Sequence, residues 1–233
     1  MKTYCLPGLV LPALLCIPLA ATAGVAPGTE RHYVFDVSRE GRPIGSHDVR
    51  LQRHGDVTRA FIDTRLRVRF LGLTVYSLDY SAEEVWTRDR LQSLRVEVNH
   101  NGERLSLQGQ RRDDAFEVRD GDGERRLPLP LVPTNHWHPI ILEQDRVLNT
   151  LTGKVNDITV EREGEDALTL PAATVDATRY RFDGELQLHS WYDNDGRWLA
   201  MDFEARDGSI IEYRCRNCTG YDGSDPAGSG PDG

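Results

Sequence analysis

Leu94-Arg95-Val96-Glu97-Val98-Asn99-His100-Asn101-Gly102-Glu103-Arg104-Leu105-Ser106-Leu107 is the stretch on which the fold turns. Leu94, Val96 and Val98 alternate with Arg95 and Glu97, the Asn101-Gly102 pair follows, and Leu105 and Leu107 resume the apolar rhythm beyond it. Period-two alternation belongs to a half-buried strand, and Asn-Gly between two such runs is the strongest short signal for a hairpin.

The same rhythm extends in both directions. Upstream, Tyr33, Phe35 and Val37 share a face, Arg39-Glu40-Gly41-Arg42 turns the chain, and Val49 and Leu51 continue the apolar face. Ala60, Ile62, Leu66 and Val68 then alternate with Arg59, Asp63, Arg65 and Arg67, which no helix face accommodates. Downstream, Phe116 and Val118 precede the turn Asp120-Gly121-Asp122-Gly123, after which Leu127-Pro128-Leu129-Pro130-Leu131-Val132-Pro133 breaks the pattern. A proline lacks the donor that an interior ladder needs, so this segment is no central strand. Thr134 or Asn135 is placed to cap one short helix near residues 135–145, with Trp137, Ile140, Ile141 and Gln144 at helical spacing. Strands resume over 155–161, 174–182, 185–192, 197–205 and 209–213, with Asp195-Gly196 and Asp207-Gly208 marking the last hairpins. The expected fold is therefore mainly all-β: an antiparallel meander of about ten strands curled into a barrel or half-barrel, since so long a twisted sheet curls or splits.

The ends carry different information. Lys2, an apolar stretch from Leu9 through Leu19 and Ala21-Thr22-Ala23 before Gly24 have the form of a signal peptide over residues 1–23, cleaved after Ala23. Prolines at 7, 12 and 18 and the shortness of the stretch weigh against a retained membrane span. Lipidation at Cys16 is disfavoured by the bulky Leu15 before it. Residues 24–29 form a linker, 30–219 a single barrel-like domain, and 220–233 a disordered tail of Gly, Ser, Asp and Pro. Loss of the signal removes Lys2 and no acid, so the net charge moves from −9 to −10, which makes nucleic acid an unsuitable partner. The expected location is the periplasm, with no transmembrane span in the mature protein.

In an oxidising compartment the remaining cysteines, Cys215 and Cys218, form a local disulfide by default. A redox-active dithiol and half of a metal site compete with that reading, but neither a helix start nor a second ligand pair supports them. Among candidate binding residues, His47 falls opposite Phe35 if the turn between them has a three-residue loop, and both then face the interior. A core histidine satisfied by hydrogen bonds is the bland account, and a polar group in a cavity the sharper one. Asn135-His136-Trp137-His138-Pro139 places two histidines two apart, which in an extended segment suits a metal and in a helix start does not. Trp191 and Trp198 fall together on the outer face if a two- or four-residue loop joins their strands, as a cross-strand aromatic pair or a partner contact. The paired acids Glu83-Glu84, Asp113-Asp114 and Glu165-Asp166 look like solvated surface.

At these residues the chain resembles an uncharacterised family of exported Gram-negative bacterial proteins, a domain of unknown function. The likeness is carried by Tyr33-Val34-Phe35-Asp36-Val37, Pro43-Ile44-Gly45-Ser46-His47, Trp137-His138-Pro139, Asn149 with Thr152-Gly153, and Trp191-Tyr192-Asp193 with Gly196-Arg197-Trp198, over most of residues 30–214. In architecture the chain is more distantly similar to lipoprotein-carrier and lipocalin-like curved sheets, a likeness that does not transfer function. The expectation is a non-enzymatic binding or carrier protein for a hydrophobic small molecule or lipid, anchored at Phe35, His47, Trp137 and His138, with no cofactor and no metal. Two rivals stand beside it. One is an envelope enzyme using His47 as acid or base beside Tyr33, Asp36 or Tyr192; the other is an assembly module that docks an envelope protein through Trp191 and Trp198.

Overall fold

The computed structural model describes residues 28–171 and 173–218, so the expected signal peptide and the C-terminal tail lie outside the described residues. The first eight strands are β1 (Thr29–Arg39), β2 (Arg42–His54), β3 (Val57–Phe70), β4 (Leu73–Thr87), β5 (Arg90–His100), β6 (Glu103–Arg112), β7 (Ala115–Asp120) and β8 (Gly123–Pro128). After a single 3-10 turn, Pro139–Glu143, come β9 (Arg146–Leu148), β10 (Val155–Thr169), β11 (Thr174–Gly184), β12 (Leu188–Tyr192), β13 (Trp198–Glu204) and β14 (Ile210–Asn217). Fourteen strands rather than about ten make up the meander: β4, whose inward row is interrupted by Glu84, β8 and the three-residue β9 are the strands that the alternation does not single out.

All fourteen lie in one antiparallel sheet, ordered β8-β7-β6-β5-β4-β3-β2-β1-β14-β13-β12-β11-β10-β9. Two meanders are thus sewn together at one seam, where β1 pairs with β14 from Val34↔Asn217 to Arg39↔Ile211. No ladder joins the outer strands β8 and β9 among the described residues. Arg125 of β8 instead reaches the connection between β9 and β10, its Nη2 donating to the Gly153 carbonyl at 3.0 Å, and it also pairs with the buried carboxylate of Asp120 at the end of β7. Proline enters the strands only at Pro43, beside the turn at the start of β2, and at Pro128, the last residue of the edge strand β8, where a missing donor does little harm.

The inner face is the one that alternation marked. Phe35, Val37, Val49, Ile62, Leu66, Val96, Leu107, Phe116 and Val118 are buried on it, and Arg59, Arg65, Arg67, Arg95 and Glu97 stay on the other. A segment over residues 131–142 passes through the interior and fills it with Leu131, Val132 and Ile141. Its 3-10 turn is capped by His138, whose Nδ1 accepts from the Ile140 amide at 3.2 Å, and not by Thr134 or Asn135. Asn135 instead points its amide into the core, and Pro139 takes the first position of the turn, where a missing donor is tolerated.

Candidate functional site

The interior holds two polar and aromatic clusters that share the segment 135–138. In the first, Phe35 lies directly opposite His47 in the β1–β2 ladder. The expected pairing is reached by a different route: a two-residue turn at Glu40-Gly41 followed by a bulge at Ile44, where Val37 pairs with Gly45 and Ser38 with Pro43. Gly45 explains the motif around it, since a Cβ there would stand 1.8 Å from the Arg65 carbonyl oxygen. That close approach sets β2 on β3 so that His47 Nδ1 meets Thr64 Oγ1 at 2.7 Å. Around the imidazole stand Phe35, Trp198 and Tyr213 at ring distances of 5.6, 5.4 and 5.6 Å. Desolvation, with His136 adding to it, pushes the His47 pKa down to about 3.

His136 enters this cluster from the segment, edge-on to Phe182 and 5.7 Å from Trp198. Its carbonyl accepts from the Tyr192 hydroxyl at 2.9 Å, which anchors the backbone. Its ring is buried, its pKa is lowered by burial to about 4, and its Nδ1 has no hydrogen-bond partner. Buried polar atoms without partners are rare enough that each calls for an explanation.

Glu84 organises the second cluster. Asn135 Nδ2 donates to Oε1, and the indole nitrogens of Trp86 and Trp137 donate to Oε2 at 2.8 and 2.9 Å. The Tyr80 hydroxyl completes the web, with Asn135 Oδ1 at 2.9 Å and Thr150 Oγ1 at 3.0 Å. His138 stacks on Trp86 at 4.5 Å, with its Nε2 3.6 Å from Asp89. Burial pushes the Glu84 carboxyl up to about 7, against the three donors that favour its charge. Glu84 is not one of the solvated surface acids that the Glu83-Glu84 pair suggests: its side chain is fully buried, toward the end of β4. The signal was present, because Leu78, Tyr80, Ala82, Glu84 and Trp86 share the inward parity of β4.

The structure separates the tryptophans expected to sit together. A bulge shifts the β12–β13 register so that Trp191 pairs with Ala200 but Tyr192 pairs with Trp198. One extra residue flips the face of what precedes it. Trp198 therefore lies inside, 4.1 Å from the Phe35 ring, while Trp191 stays outside beneath the Arg214 guanidinium with its Nε1 on Asp166 at 2.8 Å. Both are buried, so an uncovered outer Trp pair does not exist. Asp36, weighed as a neighbour of His47, faces Arg216 instead at 3.5 Å. Cys215 and Cys218 are joined in a disulfide, which occupies both thiols and removes them as metal ligands. Two recesses, of about 750 and 650 Å³, run largely along the polar outer face, past Arg95, Gln108 and Glu117 in one and Asp63, Arg67 and Asp79 in the other.

Of the motif residues, Phe35, His47, Trp137, Tyr192 and Trp198 thus converge on the interior around segment 135–138, and residues 35–216 match the model of a domain of unknown function, DUF6134. The chain belongs to that family. A crystal structure of a β-barrel-like protein of another domain of unknown function, DUF1849, from Brucella abortus is similar in fold, with a TM-score of 0.59 at 10% identity. The likeness covers 81% of this chain and 96% of that one. No curated protein matches the chain. The Pro43–His47 and Trp137–Pro139 motifs that pointed to an uncharacterised family are, in the DUF6134 fold, the close approach of β2 to β3 and the inward plug. Among the described residues no helix is long and apolar enough to cross a membrane.

Proposed function

We propose that this chain is an exported, non-enzymatic binding protein of the periplasm that holds a hydrophobic small molecule or lipid against its inner face. The ligand lies at Phe35, His47, His136 and Trp198, beside Trp137 and His138. The carrying observation is the orphaned Nδ1 of His136, set among aromatic rings. A buried polar atom without a partner costs about 1–3 kcal/mol, which a ligand hydroxyl or carbonyl recovers while its apolar part meets the rings. Room is made by withdrawal of residues 135–138, which are fixed mainly by side chains: Glu84 and Tyr80 hold Asn135, Glu84 holds Trp137 and Tyr192 holds His136. The Cys215–Cys218 disulfide suits an oxidising compartment. A binding role is favoured over acid–base catalysis at His47 because a general base works best with a pKa near the operating pH, and His47 is held at about 3.

Native mass spectrometry of protein purified from its own envelope tests the reading, with delipidated protein titrated against fatty acids, phospholipids and isoprenoids. One hydrophobic molecule per chain is expected. His136→Phe should lose it by about tenfold, as for one hydrogen bond, while melting at an unchanged or higher temperature because the orphaned nitrogen is gone. No bound mass and no affinity for any of the three classes would overturn the proposal.

A further inference from the structure

The hairpin joining β3 to β4 stands clear of the sheet. Pairing of β2 with β3 ends at Gly45↔Leu66, and pairing of β4 with β5 ends at Leu78↔His100. Asn101 still holds Ser77, accepting from its amide at 2.7 Å and donating to its carbonyl at 2.9 Å, and beyond it β3 and β4 pair only with each other, from Val68↔Tyr76 to Phe70↔Leu73. A two-stranded ribbon by itself is barely stable in water, and polar residues are the usual covering for one. This one is apolar: Phe70 is 65% exposed, Leu71 86%, Leu73 71% and Val75 56%. Its turn has positive φ at both central residues, 50° at Leu71 and 81° at Gly72. Asn or Gly suits such a position, as at Asn101-Gly102 in the adjacent turn, and leucine adopts it at a conformational cost. The turn chemistry therefore does not account for Leu71.

Charge distinguishes the ribbon from the rest of the molecule. Between Asp63 and Asp79 the only charged residues are Arg65, Arg67 and Arg69, in a chain whose net charge is −9. Arg67 is engaged by both oxygens of Asp79 at 2.7 Å, whereas Arg65 and Arg69 make no ion pair among the described residues. An apolar tip behind a basic collar matches the layers of an anionic bilayer, hydrocarbon beneath phosphate. Tyr76 sits at the boundary, half-buried against His100 at 5.2 Å, a position suited to a headgroup layer. A second copy of the chain is a poorer occupant, because two such tips would bring their arginine collars together.

We propose that the β3–β4 tip is a membrane-docking element that inserts Phe70, Leu71, Leu73 and Val75 into the surface of a bilayer rich in anionic lipid, with Arg65 and Arg69 on the headgroups. This inference is independent of any ligand in the interior. Flotation of the purified protein with vesicles tests it, comparing phosphatidylcholine alone with phosphatidylcholine containing phosphatidylglycerol. Binding is expected to the anionic vesicles and to be about thirtyfold weaker to the neutral ones, the effect of two arginines near a charged surface. Leu71→Asp with Leu73→Asp should abolish flotation. Arg65→Gln with Arg69→Gln should erase the preference for phosphatidylglycerol, and neither pair should lower the melting temperature, since all four side chains are exposed. A wild-type protein that stays with the unbound fraction on both vesicles overturns the inference. So does a dimer that the leucine variants convert to monomer without any vesicle binding, which would make the tip a contact between copies.

Discussion

Glu84 takes three donors at once, and its removal exposes what they cost. Glu84→Ala leaves two indole nitrogens and the Asn135 amide without an acceptor in a buried site. The expected loss is about 3 kcal/mol or more, measured as a lower urea midpoint at unchanged slope. Loss of the Asn135 and Trp137 anchors should also loosen residues 135–138, seen as faster amide exchange there than in β1 and β2. Glu84→Ala with stability within about 0.5 kcal/mol of the parent would show that the donors find other partners. Residue type alone hides this position, because a carboxylate next to Glu83 looks like surface; its parity with Tyr80 and Trp86 was the readable clue. His136 is hidden for another reason, since what matters about it is a missing partner, and that is known only once the neighbours are in place.

At the scale of elements, alternation carries both strand identity and facing, which is why Phe35 and His47 could be paired without coordinates. The pairing survived an incorrect loop length because the bulge at Ile44 compensates for the shorter turn. The bulge between β12 and β13 has no such compensation and no Gly or Pro to mark it, so alternation alone puts Trp198 on the outer face while the register turns it inward. The 3-10 turn was legible from Pro139 and the spacing of Ile140 and Ile141, but its cap was not, because histidine is an uncommon capping residue. Gly45→Ala tests the bulge on β2. A methyl group 1.8 Å from the Arg65 carbonyl cannot be fitted without parting the strands, so a loss of about 3 kcal/mol is expected, with the β2–β3 amides losing exchange protection. A melting temperature equal to the parent's would show that the strands separate there at no cost.

Across the whole molecule, the buried titratable groups set the response to acid. His47 and His136 have folded pKa values lowered to about 3 and about 4, so the stability they confer as neutral rings is lost as pH falls below their unfolded value of about 6.5. Glu84 acts oppositely: its folded pKa is raised to about 7, so protonation on acidification from there toward its unfolded value favours the fold. Two histidines against one carboxylate leave a net uptake of about one proton on unfolding between roughly pH 6.5 and 4.5, about 1.4 kcal/mol per pH unit. Urea midpoints should therefore fall across that window, and Glu84→Gln should steepen the fall by about twofold. Midpoints that rise on acidification would contradict the assignment.

The seam between β1 and β14 has a consequence for how the polypeptide can be made. Synthesis delivers the first eight strands long before the second partner of β1 exists, and that partner is the last strand among the described residues. Until residues 210–217 emerge, β1 presents a raw, fusion-prone border, so a premature stop before Ile210 should yield aggregates and not a smaller working domain.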